Sequence, residues 1–168
     1  MLRVLVLCTG NSARSILAEA LFNHLGKGRV EAVSAGSFPK GAPHPQALAT
    51  LRAHGLPDSG YSSKSWDAFT GPDAAPIDIV VTVCDNAAGE TCPIFPGRAV
   101  KGHWGIADPA YVSSDKVAAA FERTWDELSA RVAALLAEPI ETMDPAELKP
   151  LLDRIGRMEG ATPGPAHG

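Results

Sequence analysis

The chain predicts an α/β fold built on a mostly parallel sheet, and three observations lead there. Short apolar runs at residues 2–7, 30–34 and 77–83 have the Val, Ile and Leu content of buried strands. Segments whose apolar residues recur at spacings of three and four lie between and after them, as helices in βαβ units would. The 168 residues, 45% hydrophobic and 20% charged, suit one soluble domain with a single core.

The elements follow in order. Residues 2–7 form the first strand. The helix over 12–25 carries Ile16, Leu17, Ala20, Leu21 and Leu25 on its apolar stripe, with Gly26 as its C-cap. A second strand covers 30–34 and closes at Ala35-Gly36. After a Pro/Gly-rich loop at 38–45, Pro45 opens a helix that runs to His54 and stops at Gly55. Residues 63–69 read as a short helix or turn. The stretch 77–83 is the strongest strand signal, and 98–103 gives a fourth, shorter strand. The longest helical pattern spans 114–137, with Val117, Ala120, Phe121, Trp125, Leu128, Val132 and Leu135 along one face and Pro139 beyond its end. Residues 145–158 form a further amphipathic helix, broken by Pro150 or starting after it. The Gly/Pro-rich stretch 160–168 reads as a disordered tail.

Composition narrows the function. The formal net charge is -4 and no basic run exists, so nucleic acid is not expected as a partner. No apolar stretch reaches the roughly 18 residues of a membrane span. The N-terminus, with Arg3 as its single early positive charge and a short apolar run, does not read as a signal peptide, and none is expected. The expected compartment is the cytoplasm. There, three cysteines point to catalysis, metal binding or redox work rather than to a structural disulfide framework.

In open α/β sheets, ligands bind at the carboxyl ends of the strands. Cys8 ends the first strand and Cys84 follows the strongest one, so both belong to the same rim. Cys8 and Arg14 are separated by five residues, Thr9-Gly10-Asn11-Ser12-Ala13, between a strand and a helix. Backbone N–H groups in such a loop make a nest for an oxyanion. The Arg14 fork can grip two of its oxygens. The helix N-terminus and Arg14 should both lower the Cys8 pKa from about 8.5. Gly10 would allow the tight turn, and Asn11 tolerates the left-handed region. The plain alternative is a core cysteine beside a surface arginine.

The stretch Cys8-Thr9-Gly10-Asn11-Ser12-Ala13-Arg14-Ser15 resembles the phosphate-binding loop of low-molecular-weight protein tyrosine phosphatases, and most closely that of the arsenate reductase branch on the same fold. The resemblance extends over residues 1–137, through Ser34-Ala35-Gly36, Cys84-Asp85, Cys92-Pro93, His103-Trp104-Gly105 and Asp108-Pro109. It implies a three-layer sandwich with a central four-stranded sheet. It also implies a catalytic domain at 1–137, a helical C-terminal extension at 138–159 and a tail at 160–168. In that reading Cys8 is the nucleophile and Arg14 clamps the oxyanion. Thr9, Gly10, Asn11, Ser12, Ala13 and Ser15 form the binding loop, and Asp108, fixed by Pro109, is the general acid.

Reducing arsenate to arsenite takes two electrons, which two thiols supply by forming a disulfide. A phosphatase needs only Cys8. The resemblance implies a relay in which Cys8 attacks arsenate, Cys84 attacks Cys8, and Cys92 then attacks Cys84. An external thiol system, thioredoxin or glutathione with glutaredoxin, would regenerate the enzyme. A single helix over 84–92 would hold the two α-carbons about 12 Å apart, and a disulfide needs about 4.4–6.8 Å. Residues 84–97 are therefore expected to remodel on oxidation. Whether Cys92 or a small external thiol resolves the intermediate stays open, as does a role for Cys84 and Cys92 as core thiols. The C-x7-C spacing does not favour zinc.

Some family members hold a monovalent cation behind the loop, and the matching positions here are Asn11, Glu19, Ser34 and Asp67, which would make potassium a possible cofactor. No other bound cofactor is implied. Two competing functions remain. One is a phosphotyrosine phosphatase, against which Tyr111 stands without a second aromatic neighbour. The other is a non-catalytic oxyanion or metalloid sensor or carrier, which would have no need of Asp108.

Overall fold

A computed structural model describes residues 1–84, 95–110 and 112–161. Its centre is a four-stranded sheet of β1 (Leu2–Cys8), β2 (Val30–Gly36), β3 (Ile79–Thr82) and β4 (Val100–His103). The strands lie in the order β2-β1-β3-β4 and every pairing is parallel. Leu7 pairs with Ala35 on one side and Thr82 on the other. The carboxyl ends of β1, β2 and β3 therefore finish level, and Cys8 and Cys84 share one rim.

Helices α1 (Arg14–Leu25), α2 (Pro45–Ala53), α3 (Val117–Leu136) and α4 (Pro145–Gly156) contribute to one core with Val4, Val6, Ile79 and Val81. On the opposite sheet face, Leu5, Leu7 and Val80 pack with Ile77 and Phe95, against Trp66 and Phe69 of the 3-10 turn Trp66–Phe69. The strand alternation sorts the side chains between these two faces.

Three details depart from the expected elements. Leu25 is 45% exposed, and Phe22 is fully buried instead. Helix α1 is wedged between the sheet and α3, so nearly its whole length from Ser15 to Phe22 is buried, whereas its last turn runs past the core. Secondly, Pro150 neither breaks α4 nor delays its start. Pro145 occupies the first turn, Asp144 and Glu147 form a capping box, and Pro150 lies on the exposed side. An interior proline costs about 3 kcal/mol. Burial of Leu148, Leu151, Leu152 and Ile155, at roughly 1.5–3 kcal/mol each, outweighs it. The third departure is at residues 160–161, the start of the expected tail. Ala161 forms an antiparallel bridge with Ile106. Residues 162–168 lie outside the described residues.

Helix α4 sits hard against β4. A Cβ on Gly102 would lie 2.6 Å from the Leu152 Cβ, and one on Gly156 would overlap the His103 carbonyl oxygen. Trp104, buried just after β4, donates its indole N–H to the Leu152 carbonyl at 3.0 Å and stacks on Phe22 at 5.8 Å. Trp104 thus packs rather than reacts. No helix among the described residues is long and apolar enough to cross a membrane.

Candidate functional site

The loop from Cys8 to Ala13 is held from outside. The carbonyls of Thr9, Gly10 and Ser12 accept the N–H groups of Phe38, Lys40 and His44 at 2.8–3.0 Å. Ser63 also donates its hydroxyl to the Gly10 carbonyl at 2.9 Å. With its carbonyls tied outward, the loop turns inward as a concave backbone surface. Asn11, at φ 45°, takes the left-handed conformation expected of it. Its amide donates to Ser15 Oγ and Ser34 Oγ, both at 2.9 Å, and its oxygen accepts the Lys64 N–H at 2.9 Å. Gly10 has no positive φ. A Cβ there would lie 3.0–3.3 Å from the methylenes of Lys40, a tight approach that a small shift of the exposed lysine chain relieves.

Helix α1 begins at Arg14 with no side-chain cap on its first-turn N–H groups. Uncapped N–H groups together with the helix dipole favour an anion. Arg14 donates from Nη1 to the Ile106 carbonyl at 2.7 Å, and its Nη2 lies 3.4 Å from Asp108 Oδ2. The Ala110 N–H holds Asp108 Oδ1 at 2.9 Å across Pro109. These groups surround a cavity of about 360 Å³ that also touches Phe38 and Lys40.

Cys84 reaches this cavity. Its Sγ accepts the Thr9 N–H at 3.3 Å and lies 3.5 Å from Thr9 Oγ1. The Thr9 N–H, expected to face an oxyanion, thus serves the second thiol. The expected lowering of the Cys8 pKa is reversed: a hydrogen bond with Cys84 and then burial push the Cys8 thiol well above its ordinary value. Arg14 and the Gly10 backbone pull the other way. Two adjacent sulfurs resist ionising together, and the hydrogen bond with Cys84 holds the proton on Cys8.

Of the remaining positions, Asn11, Glu19 and Ser34 come together: Ser34 Oγ donates to Glu19 Oε1 at 2.5 Å while accepting from Asn11. Burial raises the Glu19 pKa, and the nearby Lys64 ammonium opposes that rise. Asp67 lies on an exposed turn, where its N–H is capped by Ser65. Asp67 stands apart from the other three, and Lys64 brings positive charge beside Glu19. These residues do not fit a bound potassium ion. Cys92, Tyr111 and the proposed remodelling segment up to residue 94 lie outside the described residues.

The site gains two side chains that pattern reading passed over, Lys40 and Phe38. Their signal was position, in the loop leaving β2 on the same rim as Cys8. The Ile106 carbonyl is a third addition, and as a backbone group it leaves no sequence signature.

A thiol and an arginine joined by an anion nest at the carboxyl edge of a parallel sheet, with an Asp-Pro loop facing them, define a class of phosphate-handling enzymes. The profile of the low molecular weight phosphotyrosine protein phosphatase family matches residues 3–146, and the chain belongs to that family. Within it, the chain is 35% identical to an arsenate reductase of Shouchella clausii, over 75% of this chain and 88% of that one. A solved arsenate reductase in the phosphate binding state superposes with a TM-score of 0.66 at 28% identity, covering 82% of this chain and 98% of its own. The thioredoxin-dependent arsenate reductase of Corynebacterium glutamicum does so with a TM-score of 0.60 at 28% identity, covering 82% and 61%.

Proposed function

We propose that this chain reduces arsenate to arsenite by a thiol relay. The observation that carries the proposal is the placement of Cys84 inside the oxyanion cavity, hydrogen-bonded to Cys8 and Thr9. Hydrolysis of a phosphate ester gives no reason for a second thiol there.

Arsenate enters against the loop N–H groups and Arg14. Cys8 Sγ attacks arsenic, and an oxygen leaves as water, with Asp108 placed to deliver its proton. Cys84 Sγ then attacks Cys8 Sγ. As the S–S bond forms, the S–As bond breaks and its electron pair stays on arsenic, which leaves as arsenite. The two thiols have lost the two electrons that arsenic gained. Cys92 completes the relay by attacking Cys84, an assignment that rests on the family resemblance. An external dithiol or glutathione returns the protein to its reduced state. We assign no step to potassium and place the reaction in the cytoplasm, where such reductants are abundant.

Incubation with arsenate, thioredoxin, thioredoxin reductase and NADPH, and separately with glutathione and glutaredoxin, tests the function. Arsenate-dependent NADPH loss in wild type that vanishes in Cys84→Ser is the expected result. Loss that persists in Cys84→Ser refutes the relay. A phosphatase reading draws on the family and on Phe38, 73% exposed beside the cavity as a surface for an aryl ring. Rapid hydrolysis of an aryl phosphate without arsenate turnover would favour it.

A further inference from the structure

The family match ends at residue 146, yet the residues beyond it reach the oxyanion site. Arg131 of α3 is fully buried. Its Nη1 donates to the Glu127 carbonyl at 3.0 Å, and its Nη2 donates to the carbonyls of Met158 and Glu159 at 3.0 and 3.2 Å. A buried guanidinium is expensive unless its donors are used; here Nη2 grips the turn that follows α4, while the buried Nε has no hydrogen-bond partner among the described residues. That turn closes through the Ala161 N–H to the Met158 carbonyl at 3.1 Å. Gly160 sits at φ +94°, a conformation that other residues adopt only with strain. Both features set the direction in which the chain leaves the turn, and it leaves toward Ile106.

Ala161 then bridges Ile106 in antiparallel fashion. The Ile106 carbonyl is the acceptor for Arg14 Nη1 at 2.7 Å, and Arg14 Nη2 faces Asp108 two residues further along the same segment. A continuous line of contacts therefore runs from Arg131 through residues 158–161 to Ile106 and Arg14. On its other side the segment is fixed by the Ile106 N–H to the Val83 carbonyl at 3.2 Å, one residue before Cys84.

We propose that the 158–161 turn, clamped by Arg131, is a strap that positions Ile106 and through it the Arg14 guanidinium. The inference rests on the reading of Arg14 and Cys8 as the oxyanion site. Arg131, Gly160 and Ala161 are positioning residues; none touches the substrate. A tail that only stabilised the core would leave Arg14 where it is. A strap controls two properties of the site: its affinity for an oxyanion, and the ease with which Cys8 ionises, since Arg14 pulls that thiol down.

The test compares full-length wild type with Gly160→Val, Arg131→Met, Arg131→Lys and a chain ending at Gly160. The probes are inorganic phosphate binding and the pH profile of Cys8 alkylation by iodoacetamide, both taken well below each variant's melting temperature. Gly160→Val and the shortened chain are expected to bind phosphate about tenfold more weakly, the loss of roughly one charge-assisted hydrogen bond. Their Cys8 alkylation profiles are expected to move to higher pH, and Arg131→Lys to lie closer to wild type than Arg131→Met. Phosphate affinity within twofold of wild type and an unmoved alkylation profile, whatever happens to melting, overturn the strap. If Arg131→Met does not fold, the glycine variant and the shortened chain still decide. Wild type that fails to reduce arsenate would refute the proposed activity and leave the alkylation comparison intact as the test of the strap.

Discussion

Arg14→Lys keeps the charge of the clamp and removes its fork. In the structure the guanidinium divides its donors: Nη1 is committed to the Ile106 carbonyl at 2.7 Å, and Nη2 faces Asp108 at 3.4 Å. A lysine at this position has a single ammonium and cannot hold Ile106 and an oxyanion in the same plane. One charge-assisted hydrogen bond is worth about 1.5–3 kcal/mol. At 1.36 kcal/mol per factor of ten, its loss lowers kcat/KM for arsenate roughly 10- to 150-fold. Simple charge removal is not the cause, so raising the salt concentration should not narrow the gap between the two proteins. Leaving the Ile106 carbonyl without a well-placed donor costs about 1–3 kcal/mol of stability, and each kcal/mol lowers Tm by about 2–4 °C in a domain of this size. Steady-state kinetics with arsenate, phosphate inhibition and a thermal melt measure all three. A lysine variant within twofold of wild type in kcat/KM would refute the argument that the fork, rather than the charge, does the binding.

Three further outcomes follow from the geometry. Replacing Cys84 with Ala removes the largest influence holding the Cys8 proton, so Cys8 alkylation should begin at lower pH than in wild type; an unchanged or higher onset contradicts the shared-proton arrangement. Exchanging potassium for a bulky organic cation at constant ionic strength should leave arsenate turnover unchanged, because Lys64 already faces Glu19; a severalfold fall on removing potassium would contradict this reading. The Arg29 hydrogen bonds lower the Glu141 pKa from 4.5 to about 2. A depressed carboxylate supports the fold above its unfolded pKa and loses that support as pH falls through its folded value. The Glu141 carboxyl resonance should therefore titrate near pH 2 and return to the ordinary range in Arg29→Ala.

The sheet was legible because its strands are continuous apolar runs, and those runs alone predicted that Cys8 and Cys84 share a rim. The family resemblance, rather than spacing, put Asp108 with Arg14 at the same cavity. Other features resisted reading for physical reasons. Pro150 looked like a helix breaker because propensity counts the missing N–H and not the four aliphatic side chains the helix buries. Arg131 left no sequence signal, since the partners of its Nη2 are backbone carbonyls nearly thirty residues away. The Cys8 pKa was misjudged because the helix and Arg14 are local in sequence, whereas the opposing thiol follows a strand and lies seventy-six positions on. Asp67 matched a cation-ligand position by alignment to a motif, but that loop turns its side chain to solvent.

The central claim is that two thiols in one oxyanion cavity make arsenate reduction the chemistry of this fold. Its most direct test is a single turnover of Cys92→Ser with stoichiometric arsenate and no external reductant, followed by arsenite quantification and peptide mapping under non-reducing conditions. About one arsenite per protein and a Cys8–Cys84 disulfide in equal amount are expected. Arsenite released without that disulfide, or an alkylatable Cys84 after arsenate has been consumed, would contradict it.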